Sequence, residues 1–164
     1  DFKVLGNVIF GSITTSTCYG EKTVTEYFYI ECSSPISNYS VGKETIVYFN
    51  SSSVDMKIAV SFISVEQAKE NFSREIKTLS FEEVMENNKN EWLSYLTRIE
   101  VSNENIERSK TFYSCFYRAL LFPRKFYEYD PEGNIVHFNV DTGKVNVIFK
   151  LKDSNNYGLV EPEV

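Results

Sequence analysis

The sequence predicts an α+β chain in which an antiparallel β-sheet, part of a β-sandwich, gives way to helices at Ser64. Three observations predict it. Residues up to Ile63 form short runs of alternating polar and apolar side chains, separated by polar loops. Ser64-Val65-Glu66-Gln67 and Ser80-Phe81-Glu82-Glu83 are helix-start signatures, each a serine followed three positions later by Gln or Glu. From Phe112 onward, apolar and aromatic side chains recur at helical spacing until Pro123 ends the run.

Residues 1–63 are expected to hold about four strands. The first spans Phe2 to Thr17, bulged or broken at Gly6 and Gly11. Cys18 to Lys22 connects it to the second, Thr23 to Cys32. There Val24, Phe28, Ile30 and Cys32 share one face, and Thr23, Thr25, Tyr27, Tyr29 and Glu31 the other. Ser33 to Gly42, with Pro35, reads as a polar loop. Glu44 to Asn50 is the third strand. Ser51-Ser52-Ser53 turns the chain into the fourth, Asp55 to Ile63, with Ile58, Val60 and Phe62 on one face.

The first helix is expected from Ser64 to Ile76, with Val65, Ala68, Phe72 and Ile76 as its buried stripe and Gln67 reaching back over Ser64. The second starts at Ser80, with Leu79 able to staple against Val84, and presents Phe81, Met85, Trp92, Leu96 and Ile99. The third runs from Glu104 to Phe122. Its stripes, Phe112-Phe116-Leu120 and Tyr113-Tyr117-Leu121, give an apolar face wide enough for burial on both sides, as in a helical bundle or toroid. Beyond it, Phe126 to Tyr129 and Asn134 to Phe138 flank Asp130-Pro131-Glu132-Gly133. Proline at the second position and glycine at the fourth suit a type I turn, hence a hairpin.

Composition narrows the function. With 42% hydrophobic and 15% aromatic residues, the 164-residue chain can build a core. A net charge of −6 argues against nucleic acid, because only Arg118, Arg124 and Lys125 form a basic group, at a helix end. No apolar run approaches membrane-spanning length and no signal peptide precedes Asp1, so no membrane partner is expected. Cys18, Cys32 and Cys115 lack metal-ligand or redox spacing. They read as buried thiols, which suits a reducing compartment and slightly favours the cytoplasm. The Asn38, Asn50 and Asn71 sequons are no more than chance would give.

No constellation commits the residues to a reaction. His137 is the only histidine and reads as packed or exposed on a hairpin strand; without a Gly-x-Ser-x-Gly elbow it makes no triad. Glu82, Glu83 and Glu86 suit the first turns of a helix, where carboxylates cap amides. Asp130 to Asn134 resembles a calcium loop superficially but lacks the alternating ligands and the distal Glu, and reads as a turn. The aromatic rings of the third helix read as core rather than as a sugar-binding platform.

Two stretches carry a family resemblance. Val60-Ser61-Phe62-Ile63-Ser64-Val65-Glu66-Gln67-Ala68-Lys69-Glu70-Asn71-Phe72, continuing through Glu75-Ile76, resembles the passage from β-sandwich to helical linker in glycoside hydrolase family 92, the calcium-dependent α-mannosidases. Phe112-Tyr113 through Tyr117-Arg118-Ala119-Leu120-Leu121-Phe122-Pro123, then Phe126 and the Asp130 to Asn134 turn, resembles the first helix of that family's (α/α)6 toroid and its following hairpin. Trp92 and Arg98-Ile99-Glu100-Val101 also sit where the family has similar residues.

The resemblance implies four segments: 1–63, the last strands of the sandwich; 64–101, a helical linker; 102–143, the first helix and hairpin of the catalytic domain; and 144–164, a divergent tail, because a tryptophan-aspartate motif due shortly after Gly143 is missing. It also implies an inverting hydrolase of mannose-containing glycans that uses a glutamate acid, an aspartate base and bound calcium. Inversion needs two carboxyls about 6.5–9.5 Å apart. No residue here matches that pair or the calcium ligands, so the expected catalytic, cofactor-binding and metal residues in this chain are none.

The leading expectation is an interior piece of such an enzyme. It would be inactive alone and prone to self-association through apolar surface and open strand edges. The alternatives are a free-standing carbohydrate-binding β module offering Tyr27, Tyr29 or Tyr48, and a structural interaction domain.

Overall fold

Antiparallel sheets come first and three helices follow, the α+β order the sequence predicts. The computed structural model describes residues 1–16, 23–42, 44–101, 105–121 and 126–148. The expected Cys18 to Lys22 connection, the helix start at Glu104, the Pro123 stop, Arg124, Lys125 and most of the 144–164 tail lie outside the described residues. The chain divides into two compact units, one of residues 1–77 with the strands after 126, the other of the helices between 78 and 121.

The first unit is built on a four-stranded antiparallel sheet. β1 (Phe2–Leu5), β2 (Val8–Ser16), β3 (Thr23–Cys32) and β6 (Met56–Ser61) lie in the order β1-β2-β3-β6. The strand expected from Phe2 to Thr17, broken or bulged at Gly6 and Gly11, is broken at Gly6 into two. Leu5 pairs with Val8 across Gly6-Asn7, and Gly6 has φ +65° while no described non-glycine residue has positive φ. That is the type II′ pattern, in which only the first central residue takes positive φ. Gly11 is not a break but a point of close approach. A Cβ there would lie 2.1 Å from the Asp1 carbonyl oxygen, which accepts a hydrogen bond from the Ser12 amide.

The expected polar loop at Ser33 to Gly42 forms β4 (Ile36–Val41), which pairs with β5 (Thr45–Phe49) through a register shift between Ile36 and Asn38. Its side chains are mostly exposed, so apolar patterning was never required of it. Pro35 stays outside the strand, where its missing N–H costs nothing.

α1 (Val65–Glu75) starts at Ser64, whose hydroxyl accepts from the Gln67 amide. Ala68 and Phe72 are buried, and Gln67 with them. The Phe72 ring packs on Tyr29 at 5.1 Å between centroids. The Lys57 ammonium, two residues from Ala59 on the same strand face, donates to the carbonyls of Ile76 and Lys77 at the helix C-terminal end. The helix thus covers the Tyr29, Lys57 and Ala59 face of the sheet. The opposite face, with Met56, Ile58 and Val60, stays about half exposed.

Residues 126–148 add a three-stranded sheet, β7 (Glu128–Tyr129), β8 (Ile135–Asn139) and β9 (Lys144–Ile148). The expected hairpin is present. The Gly133 amide donates to the Asp130 carbonyl at 2.9 Å and Gly133 takes φ +85°, a type I turn closed by a glycine bulge. A second turn leads into β9, with the Asn139 side chain accepting from the Asp141 and Thr142 amides. Residues 144–148, expected to open a divergent tail, are an ordinary third strand.

The second unit contains α2 (Phe81–Leu96) and α3 (Ile106–Leu120). Ser80 and Glu83 form the complete reciprocal capping box. Asn105 caps α3, accepting from the Glu107 and Arg108 amides. Trp92 meets Tyr117 with ring centroids 4.6 Å apart, and the Tyr113 hydroxyl donates to the Ile99 carbonyl. The expectation that α3 is buried on both sides is corrected. Neither helix buries a single side chain, and Tyr117 is 41% exposed.

Candidate functional site

The densest polar arrangement in the first unit joins the end of β6, the outer face of α1 and the first hairpin. Strand β7 places Glu128 opposite the chain's exit from β6. One carboxylate oxygen accepts from the Phe62 amide at 3.1 Å, the other from the Asn71 side-chain amide at 2.7 Å. Asn71 also donates to the Val60 carbonyl at 2.9 Å and accepts from Gln67 at 3.0 Å. Gln67 then donates to the Tyr129 carbonyl at 2.7 Å. One turn further along α1, Arg74 pairs with Glu70 and donates to the carbonyls of Asp130 at 2.8 Å and Pro131 at 3.1 Å.

Gln67, Asn71 and Arg74 stand at i, i+4 and i+7, one stripe of the helix. Two of them were visible in the sequence only in other guises, Gln67 as a capping residue and Asn71 as a sequon. Gln67 does not return to Ser64, so the first capping box is half made. Both hydrogens of the Asn71 amide are committed, which leaves that sequon no free nitrogen in the folded chain. Glu128 carried no sequence signal, because its partners are backbone and side-chain groups more than fifty residues away.

Chemically this is a joint in which the polar groups satisfy one another. Both Glu128 oxygens face donors. Among the described residues no three His, Cys, Asp or Glu side chains converge on a point that could hold a metal ion. At the turn, the Asn134 amide and side chain donate to the two Asp130 oxygens at 2.7 and 2.9 Å. The side-chain bond from Asn134, with backbone donors behind it, holds the Asp130 carboxyl below the usual carboxylate range. These residues therefore do not fit a calcium site, because the loop's own donors already occupy its best ligand.

The other sequence candidates are dispersed. His137 lies half-buried on β8, its Nδ1 atom enclosed and without a hydrogen-bond partner. Glu82, Glu83 and Glu86 are exposed on α2, Glu83 completing the cap and Glu86 pairing with Lys89. Tyr29 packs under Phe72 with the rings tilted, and burial, then the nearby Glu31 charge, pushes its phenol pKa up. Tyr27 is half-buried and Tyr48 is exposed. Cys32 is buried, its thiol pKa raised by burial and then by Glu31, whereas Cys115 is exposed, against expectation. Among the described residues no helix is long and apolar enough to cross a membrane.

A model of the glycosyl hydrolase family 92 catalytic domain matches residues 67–159. The chain belongs to glycosyl hydrolase family 92. A solved structure of a family 92 inverting mannosidase from Bacteroides thetaiotaomicron superposes on 87% of the chain with a TM-score of 0.77 and 30% identity. This chain spans 22% of that mannosidase's length. No curated protein sequence matches it. The family match runs past Gly143, so the stretch after it is not as unrelated as the sequence reading held. It also starts inside α1, so Gln67, Asn71 and Glu128 lie within the match, whereas their partners Val60 and Phe62 precede it.

Proposed function

We propose that this chain is a structural segment of an inverting mannosidase, acting on mannose-containing glycans only together with further sequence. One observation supports the reading above the others: 30% identity and a TM-score of 0.77 against an inverting family 92 mannosidase, over 87% of this chain but only 22% of that one. Its segments would serve as the last strands of the sandwich (1–63), a linker (64–101) and the first helix and hairpin of the catalytic domain (102–143). The glutamate acid, aspartate base and calcium ligands of the reaction belong to sequence outside it.

In this reading the joint has a task. Gln67, Asn71 and Arg74 fix the first hairpin against α1, and α1 is fixed on the sheet by Phe72. The surface that continues into catalytic sequence is thereby held to the strand body. Exposed Met56, Ile58 and Val60 would drive self-association when the segment is alone.

Two measurements test this. The purified chain, supplied with calcium and a chromogenic α-mannoside, should release no mannose; release would end the claim of inactivity. A chimaera in which residues 1–148 replace the matching segment of the Bacteroides mannosidase should fold and keep activity. A folded but inactive chimaera would count against the structural role.

A further inference from the structure

The first hairpin turn brings together Arg74 of the joint and three groups outside it: Asp130, Gly133 and Asn134. Asp130 is followed by Pro131, and the carbonyl oxygen of the bond between them accepts two hydrogen bonds. One comes from the Gly133 amide at 2.9 Å, the other from the Arg74 guanidinium at 2.8 Å. A backbone N–H and a cationic donor aimed at one carbonyl oxygen are the elements of an oxyanion hole. The side chain able to attack that carbonyl carbon is the carboxylate of Asp130 itself, its carbon tethered three bonds away. Its two oxygens are restrained by Asn134 at 2.7 and 2.9 Å.

We propose that Asp130–Pro131 is an acid-driven self-cleavage site, with Asp130 as nucleophile, Gly133 and Arg74 as oxyanion donors and Asn134 as the restraint. A carboxylate oxygen of Asp130 adds to its own carbonyl carbon, and the negative charge that develops on the carbonyl oxygen meets the two donors. The carbon–nitrogen bond then breaks. Its electron pair returns to the Pro131 nitrogen, which takes a proton from the acidic solvent and leaves as a secondary amine. The five-membered anhydride left on Asp130 is opened by water, giving a chain that ends at Asp130 and another that begins at Pro131. No oxidant, metal or second enzyme is required. The lowered pKa of Asp130 keeps the nucleophile ionised at acidities where protons for the leaving nitrogen are abundant.

The donors and the restraint act in opposite directions, which makes the proposal testable on the full chain. Dilute protein is held between about pH 5 and about pH 2.5, bracketing the ordinary Asp range, and fragments are followed by mass spectrometry. Asn134→Ala should cut about tenfold faster, the effect of releasing hydrogen bonds to a charged group. Arg74→Ala should cut about tenfold slower, the loss of one exposed oxyanion donor. Asp130→Glu, whose longer side chain cannot close the same ring, should not be cut.

The rate should rise as pH falls and level off once Asp130 is protonated. That plateau should lie at lower pH in the wild type than in Asn134→Ala. Simple loosening of the turn would speed both variants. The proposal is overturned if Arg74→Ala is cut as fast as the wild type or faster, or if urea-unfolded Asn134→Ala is cut as fast as the folded variant.

Discussion

The strand body and the two-helix unit are equally well specified along the sequence and unequally consolidated in space. The strand body with α1 and the hairpins contains every buried side chain among the described residues, from Ile9 and Cys32 to Phe72 and Val136. In α2 and α3 there is none, although α2 carries a complete capping box and α3 an asparagine cap whose oxygen accepts from two amides. Caps and periodicity decide whether a segment is helical; they do not decide what it packs against. Phe81, Met85 and Ile106 are all more than half exposed despite their helical spacing. A helix can thus be fully legible in sequence without burying a side chain among the described residues.

The largest expected contrast comes from truncating one aromatic ring in each region. Phe72→Ala removes a fully buried ring and should cost the strand body about 3–5 kcal/mol, a large part of what an ordinary domain has. Phe112→Ala removes a ring that is only partly buried and should cost less, about 1 kcal/mol. Urea denaturation read through hydrogen exchange in β3 and in α3 separates the two. Equal costs would mean that the helices hold a core of their own.

The joint gives a second, smaller contrast. Glu128→Ala leaves the Phe62 amide and the Asn71 side chain without their acceptor and should cost about 1–3 kcal/mol. Glu128→Gln keeps one acceptor oxygen and should cost less. If both were neutral in thermal denaturation, the joint would be decoration and α1 would hold the hairpin by packing alone.

How much was legible follows the same division. Strands β3, β5 and β6, the helix starts at Ser64 and Ser80, and the Asp130 turn all rest on local signals, and the sequence reading places them correctly. It merges β1 with β2 because Gly6 and Gly11 look alike in sequence. Only a partner strand shows that one is a hairpin turn and the other sits against the Asp1 carbonyl. It misses β4 because a two-stranded hairpin in water needs no apolar face. In β3 both faces alternate cleanly, so nothing in the sequence says that α1 covers the Tyr29 side. The joint was illegible for a different reason: Gln67, Asn71 and Glu128 act through partners brought together by the fold. Cys115 misleads because a thiol on an aromatic helix reads as core, and here α3 buries none of its side chains among the described residues.

Removing the α2 cap is a milder perturbation of the helical side. Ser80→Ala leaves the Glu83 amide without its side-chain acceptor and breaks the reciprocal bond, at a cost of about 1 kcal/mol to the helix. With no buried face to compensate, that loss should appear as fewer helical residues by circular dichroism, while the hydrogen exchange of β3 is unchanged. A cap in a consolidated region would instead shift the midpoint of a cooperative transition.

The smallest effect expected is on the strand side, and acid reveals it. The folded chain holds Asp130 below its ordinary carboxylate range through Asn134. A carboxyl whose folded pKa is depressed binds its proton more readily in the unfolded chain. Its contribution is therefore complete above the unfolded value, near 4, and is lost as pH falls through the lower folded value. Because the group is open to solvent, the loss should be local: exchange of the Asn134 and Gly133 amides should quicken in that window, while Phe72 stays buried and the β3 amides stay protected. Asn134→Ala should abolish the pH dependence of turn exchange. If the wild-type turn instead loosened on raising the pH, the sign of the Asp130 shift, and with it the restraining role of Asn134, would be wrong.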